Sequence, residues 1–378
     1  MACIEDTFEP MLIRSPEGST NKELTHIDLS HVKDQYGIQH QVGHRSNLAG
    51  AMYAECQKYK GIRFHFSSTV QEIKTFGPRP TFTILPRKGG DAYTVEVDVL
   101  LGADGIKSNT RDAMLKLQGG ENQPKIIDTQ QAAYRIMLTR DQMKHDPELL
   151  ELLDSDRVTR WIGEKRHLIA YPVSSKQIYN ISTAHPDTHF AAAPSATYTT
   201  RGEKSAMFEV YKDFGETVQK LLRLVPEGEV CEWKLRVHEP LPTWVEQTTA
   251  LVGDACHATL PHMNQGAAQA IEDGAVLSVV LSRLPDTSPT SINKALRVYQ
   301  EVRKERADTL VQLAAQSGRA LHLGEGAAKA ERDAAFAAAA KTGKSPDKWA
   351  DRDTQGMIFG HDCMKVADER FEELYSSL

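Results

Sequence analysis

The sequence predicts an α/β protein, a layered α/β domain interrupted by an inserted α+β domain. Two observations mark the layered part. Val97–Ala103 runs as an almost continuous apolar stretch and stops at Asp104-Gly105. Thr249–Val252 repeats the pattern and stops at Gly253-Asp254. Runs of this kind suit strands buried on both faces. A third observation is the change of texture between them: residues 126–240 show strand-length runs broken by polar turns, with helix patterns near 140–153 and 206–224.

The bulk properties agree. The chain has 378 residues, 40% hydrophobic and 25% charged, enough for two domains with a substantial core. Its 45 basic and 51 acidic residues give a net charge of -6, which argues against a nucleic-acid surface and for a small-molecule partner. The five cysteines (Cys3, Cys56, Cys231, Cys256, Cys363) are scattered, with no CxxC and no metal-ligand spacing. No metal site is expected, and a reducing, cytoplasmic location is. The opening MACIEDTFEP lacks the basic-then-apolar run of a signal peptide. Apolar stretches such as Ala275–Leu281 fall far short of a membrane span.

Along the chain, residues 1–40 are weakly patterned, with strand-like pieces at Met11–Ile13 and Thr25–Leu29. Arg45-Ser46-Asn47 opens a helix pattern with Leu48, Met52, Cys56 and Tyr59 on one face; Ser46 or Asn47 is the expected cap and Gly61 the stop. Ile62–Phe66 alternates like a half-buried strand, and Thr81–Leu85 and Tyr93–Val99 follow as strands around the Lys88–Asp91 turn. Further strands are expected at Ala132–Leu138, Leu168–Val173 and Ile178–Thr183. Helices are expected from about Gly266 to Leu284 and from about 290 to 318, with a helical tail over 325–378.

The string from Ala250 to Asp273 carries the most chemistry. A buried strand delivers Asp254 to its C-terminal end, where ligands bind in open α/β sheets. A loop with Pro261 then leads into a helix starting at Gln265-Gly266-Ala267, whose small residues let a planar ligand approach the free backbone N–H groups. Asp254 can accept hydrogen bonds from ligand hydroxyls, or serve only the local backbone. The second string, Leu101–Arg111, repeats the strand end with Asp104, a tight turn at Gly105 and Ser108 as helix cap.

Together these strings resemble the single-component FAD-dependent aromatic hydroxylases of the salicylate and p-hydroxybenzoate hydroxylase type. Tyr299, Arg303, Arg306 and Gln312 match that family's arginine-rich helix, and the resemblance covers roughly residues 40–320. It implies a discontinuous FAD-binding domain over 1–125 and 245–322, a substrate domain with a mixed sheet over 126–244, and a helical tail over 323–378. It also implies the chemistry: NADH or NADPH reduces the flavin, and O2 supplies an oxygen atom to an electron-rich ring, secondary metabolites included. Carried over by position, Arg45, Asp104, Gly105, Gly253, Asp254, Pro261, Gln265, Gly266 and Ala267 would hold FAD. Arg135 and Tyr171 would hold and polarise a phenolate, or form a structural cross-strand pair. His257 and His262 are read as structural and Cys256 as an inert buried thiol.

One family motif is missing. No strand–GxGxxG–helix occurs; the nearest string, Gly324–Lys329, lacks the third glycine and follows a helix. The FAD domain is therefore expected to be incomplete at its N-terminus, and the chain to bind FAD weakly or not at all. An inactive remnant, or a related flavin enzyme performing epoxidation or dehydrogenation, are the alternatives to a hydroxylase.

Overall fold

The computed structural model describes residues 12–119, 124–188 and 199–378. The first strands are β1 (Leu12–Pro16), β2 (Glu23–Asp28), β3 (Ser68–Thr75), β4 (Thr81–Pro86), β5 (Tyr93–Glu96) and β6 (Leu100–Gly102). Next come β7 (Ile126–Thr139), β8 (Arg157–Gly163), β9 (Arg166–Val173), β10 (Ile178–Pro186) and β11 (Thr199–Arg201). The last are β12 (Cys231–His238), β13 (Val245–Glu246) and β14 (Thr249–Leu251). They form an eight-stranded sheet in the order β11-β12-β7-β10-β9-β8-β1-β2 and two three-stranded sheets, β13-β14-β6 and β3-β4-β5.

The chain divides into two compact units. One takes in Met1–Arg63, Gln130–Leu235 and Ser317–Gly360; the other takes in Phe64–Thr129, Arg236–Gln316 and His361–Leu378. These borders differ from the expected ones for a definite reason. The weakly patterned start of the chain supplies β1 and β2, and β1 runs parallel to β8, so the early strands extend the large sheet. The tail is divided too: Ala327–Thr342 packs on β2, with Thr25 Oγ1 donating to the Phe336 carbonyl at 3.5 Å, while Cys363–Ser377 packs on the helix Gly266–Ser282. Met11, Cys3 and the rest of the first ten residues lie outside the described residues.

In the first unit the large sheet has two unlike faces. Tyr134, Ile136, Leu138, Leu168, Ala170, Tyr179 and Ile181 point to one side and are buried with Leu149, Leu153, Met207, Val218 and Leu221. Strand alternation sends Arg135, Met137, Ile169, Tyr171 and Asn180 to the other side, where they are partly or well exposed. At the β8 end that second side is closed. Arg160 donates to Asp347 at 2.5 Å and to Ser15 at 3.3 Å, and Asp347 is fully buried. Asp347 also accepts from Ser317 Oγ at 3.4 Å and from the Trp349 amide at 3.2 Å, which ties residues 317–349 to the sheet.

The second unit is built on β14, which pairs parallel with β6 in the register Thr249↔Leu100 to Leu251↔Gly102. Its core gathers Met114, Leu115, Trp244, Leu251, Val276, Leu277, Leu296, Tyr299 and Phe371. The long helix Pro289–Leu321 and the helix Gly266–Ser282 agree closely with the periodicity.

Three expectations fail. Ile62–Phe66 is irregular, with Ile62 45%, Phe64 41% and Phe66 69% exposed. The strand in that region is β3, whose alternation is interrupted by register shifts at Val70/Glu72 and Ile73/Thr75; such irregularities hide a period of two. The helix Arg45–Cys56 starts after His44 and ends at Gln57, so Ser46 and Asn47 lie inside it, Tyr59 lies beyond it and none of its residues is buried. Finally, Val97–Ala103 does not form a strand buried on both faces. Only Leu100–Gly102 pairs, at the edge of its sheet, and Leu101 is 42% exposed. An edge strand has one neighbour instead of two, and its side chains lose cover accordingly.

Asp347→Ala should leave Arg160 charged, buried and unpaired, at a cost of about 3 kcal/mol. Urea unfolding should show this as a lowered midpoint with an unchanged slope, whereas an unchanged midpoint would mean the pair contributes nothing.

Candidate cofactor and substrate sites

The two strand ends of the second unit meet because β6 and β14 are parallel neighbours. Two residues past Gly102 comes Asp104; three past Leu251 comes Asp254. The Val252 amide donates to the Gly102 carbonyl at 3.0 Å, and Arg111 Nη1 reaches the Ala255 carbonyl at 3.5 Å, which fastens one turn to the other.

Asp104 spends its carboxylate locally. One oxygen accepts from Ser108 Oγ at 2.5 Å; the other accepts from the Thr110 amide at 3.0 Å and its hydroxyl at 3.1 Å. Ser108 in turn caps the helix Asn109–Gln118 by accepting from the Arg111 amide at 2.9 Å, as read from the sequence. Gly105, at φ +79° with open space where a side chain would stand, makes the turn. Asp254 differs. It begins the short helix Asp254–His257, it is exposed, and among the described residues no donor is bonded to its carboxylate.

Gly253 is held at φ +63°, and a Cβ there would come within 3.3 Å of the Ala270 Cβ. Pro261 then opens a single tight turn, Pro261–Met263; Asn264 reverses the chain at φ 54°, and Gln265 precedes the helix Gly266–Ser282 without a side-chain cap. Thus the first N–H groups of that helix, Gly266 and Ala267 included, have neither intrahelical partners nor a capping side chain.

Behind this surface lies a buried network that sequence reasoning named in part but to which it assigned no role. Asp273, fully buried, accepts from the Gly253 amide at 2.9 Å, His257 Nε2 at 2.7 Å and Arg303 Nε at 2.9 Å. Arg303, also fully buried, donates further to Glu272 and to the Gln269 side chain at 2.7 Å. Arg306 donates to both Glu272 oxygens, at 2.9 and 3.0 Å. Tyr299 donates to the Leu251 carbonyl at 2.9 Å. Burial pushes the Asp273 carboxyl up, but His257, Arg303 and the Gly253 amide prevail and hold it below its ordinary value. His257 is thereby a structural donor. Cys256 is buried, its thiol pushed well above its ordinary value by desolvation, so it is inert as a nucleophile. The available signal was Gln269 and the Glu272-Asp273 pair on a helix whose other buried residues are apolar.

FAD fits the donor set of this region. The exposed Asp254 carboxylate offers acceptors to ribityl hydroxyls, and the uncapped start of Gly266–Ser282 offers N–H donors and positive potential to the flavin's pyrimidine edge.

Arg45, Arg135 and Tyr171 belong to the other unit. Arg135 on β7 stands opposite Ser182 of β10, and Tyr171 on β9 stands opposite Asn180 of β10. Both therefore face the exposed side of the large sheet. Desolvation pulls the Arg135 guanidinium below its ordinary value; Tyr171 acts against this and the Arg45 charge adds to it. Burial pushes the Tyr171 phenol up, opposed by the Arg135 charge. Among the described residues neither arginine has a carboxylate partner. Asn180 is the residue of this group that the sequence did not single out.

A parallel strand pair with paired aspartates at its C-terminal ends, followed by an open helix start, defines a nucleotide-cofactor protein of the flavin-binding class. The FAD binding domain family matches residues 21–314, and the chain belongs to it. It is 32% identical to the FAD-dependent monooxygenase ntnJ of Nectria sp. over 88% of this chain and 74% of that protein. It is 28% identical to 3-hydroxybenzoate 6-hydroxylase 1 of Aquipseudomonas alcaligenes, over 77% of this chain and 67% of that one. A salicylate hydroxylase substrate complex has the same fold, with a TM-score of 0.75, 21% identity, and 99% of this chain and 85% of that chain covered. The fold is that of the FAD-binding flavoprotein hydroxylases, and the chain is an FAD-dependent monooxygenase. No helix among the described residues is long and apolar enough to cross a membrane.

Asp273→Ala should cost about 3–5 kcal/mol by leaving the Arg303 Nε, the His257 imidazole and the Gly253 amide buried without the carboxylate they share, with Glu272 the one carboxylate left to Arg303. The pH dependence follows from the lowered carboxyl. Its stabilisation is complete above the ordinary carboxylate range, near pH 4, and is lost as pH falls through the folded value. Acid titration of unfolding should therefore show a steeper decline below that range in the wild type than in the alanine variant; parallel curves would contradict the assignment.

Proposed function

We propose that the chain hydroxylates a phenolic or other electron-rich aromatic small molecule, using NADH or NADPH as reductant and O2 as the oxygen source. The observation that carries this is the Arg135 guanidinium, without a carboxylate partner among the described residues, on the same exposed face of the large sheet as Tyr171, with β10 between their strands. Membership of the FAD-dependent monooxygenases supports it, as do relatives named for aromatic substrates. In this reading the unit with β6 and β14 is the cofactor domain, and the unit with the large sheet is the substrate domain.

When bound, FAD supplies the redox chemistry that carries oxygen to the ring. The chain's residues do the rest. Asp254 holds the ribityl chain, and the helix start at Gly266 and Ala267, shaped by Pro261 and Gln265, receives the flavin's pyrimidine edge. Gly105 and Gly253 keep the strand ends low enough for close approach, and Asp104 shapes its turn. Arg135 stabilises a phenolate through its fixed fork of donors, which makes the ring electron-rich where it reacts. Tyr171 hydrogen-bonds the same oxygen and passes its proton on.

The absent glycine-rich motif leads to an expectation of weak FAD binding, but the exposed Asp254 and the uncapped helix start favour the opposite outcome: purified protein incubated with FAD and desalted should retain flavin absorbance, and it should then oxidise NADH or NADPH faster when phenolic acids are added. A colourless protein would contradict the reading. Asp254→Ala should weaken FAD binding by roughly tenfold or more, the loss of charge-assisted hydrogen bonds. Arg135→Met should leave flavin retention unchanged while raising the substrate KM by roughly tenfold or more; equal KM values would remove Arg135 from the site.

A further inference from the structure

Six side chains on the exposed side of the large sheet form a regular grid. Strand β10 lies between β7 and β9 and pairs in register with both. One row reads Arg135, Ser182, Ile169; the next reads Met137, Asn180, Tyr171. All six point to one side, because directly opposite residues share a face and so do positions two apart along a strand. The polar corners, Arg135 and Tyr171, lie on one diagonal of the grid. The apolar corners, Met137 and Ile169, lie on the other. The two diagonals cross over β10, between Ser182 and Asn180.

The middle of the grid is low and its corners are tall. Ser182 is short and buried, and Asn180 is half-buried; the side chains of arginine, tyrosine, methionine and isoleucine all reach further from the backbone. The two apolar corners are not equivalent. Ile169 has Arg160 of β8 on its far side, and Arg160 is held by Asp347, so this corner stands against the closed end of the sheet. Met137 is 54% exposed. An unbranched thioether held that far into solvent can swing without disturbing a core, and its sulfur makes favourable contacts with aromatic rings.

A ligand whose oxygen is held by the polar diagonal has its body between the apolar corners. Strand rise and strand spacing put the backbones under Met137 and Ile169 about 12 Å apart. A flat ring in contact with an atom on each face takes up about 7–8 Å of that span, so each apolar side chain has only to lean inward slightly. A saturated ring is puckered, carries hydrogens on both faces and is thicker. We propose that Met137 and Ile169 are specificity-determining residues that clamp the two faces of a flat substrate ring while Arg135 and Tyr171 hold its anionic oxygen. The site then takes planar aromatic anions and discriminates against saturated rings of the same charge. The proposal rests on the reading of Arg135 and Tyr171 as substrate contacts.

The test measures the dissociation constants of benzoate and cyclohexanecarboxylate for the intact chain by titration calorimetry. The two anions have the same charge and the same carbon count, and only benzoate is flat. The wild type should prefer benzoate by roughly tenfold or more, the discrimination an apolar pocket gives for a small change of shape. Met137→Ala removes the outer half of the clamp at an exposed position. It should weaken benzoate by about two- to tenfold, the range of a sulfur–aromatic contact, and leave cyclohexanecarboxylate little changed. Met137→Leu, close in volume, should keep most of the preference. Ile169→Val, a residue that strands favour, should reduce the preference from the other face.

Arg135→Met separates this proposal from the reading beneath it, since it should weaken both anions alike. Equal binding of the two anions by the wild type, with both weakened in Arg135→Met, would overturn the clamp and leave the substrate reading standing. A preference that survives both Met137→Ala and Ile169→Val would overturn the clamp as well. Binding of neither anion, or binding indifferent to Arg135→Met, would overturn the substrate reading and the clamp together.

Discussion

The buried carboxylate of Asp273 is the constraint on which the end of β14 and the helix start beside it depend. It takes the Gly253 amide from the strand-end turn, the His257 imidazole from the short helix that follows, and the Arg303 guanidinium from the long helix. The turn, the short helix that continues it and the long helix much later in the chain are thereby fixed to one oxygen pair. A lone buried charge would be prohibitively costly; here three donors, one of them a cation, offset the desolvation. Specificity follows from the geometry. Gly253 must take a positive φ for its amide to reach Asp273, and once it does, Asp254 is delivered to the exposed end of β14 with its carboxylate unused. The two aspartates of similar sequence context end in different work for this reason. Asp104 is consumed by its own turn, while Asp254 is spared because Asp273 does the equivalent holding from behind.

The other unit follows a related plan in a sheet. One side of its central strands is filled with Tyr134, Leu138, Leu168, Tyr179 and Ile181. The opposite side is closed at the β8 end by the Arg160–Asp347 pair. Arg135, Met137, Asn180 and Tyr171 remain partly or well exposed on that second side. The contrast between Arg160 and Arg135 is instructive, because both are strand arginines facing the same way. Arg160 has a buried carboxylate to meet and becomes a clasp. Arg135 has none among the described residues, which is the condition for binding an external anion.

Much of this was legible in the residues. Strand–Gly–Asp and strand–Ala–Asp–Gly endings locate both turns, Ser108 announces its cap, and the two long helices of the second unit follow their periodicity to within a few residues. Where the reading failed, long-range contacts overruled local pattern. Ile62–Phe66 alternates as a strand should, yet among the described residues it has no partner strand and stays irregular and exposed, while the polar β3 forms because β4 pairs with it. Val97–Ala103 is apolar enough for a central strand but lies at an edge. The early strands gave no sign that they would join a sheet built mainly from residues more than a hundred positions later, because pairing partners leave no mark on local composition.

From the residues alone came the class of fold, the cofactor, and the family of enzymes, since these depend on short strings whose geometry is set by neighbouring residues. A turn, a cap and a helix start are local structures, and their chemistry travels with them. Which charge is buried, which is spent and which is left free was decided only by folding. Asp104 and Asp254, like Arg135 and Arg160, cannot be told apart by type or by context in the chain. They differ in what stands within about 3 Å of their charged atoms, and that is a property of tertiary packing.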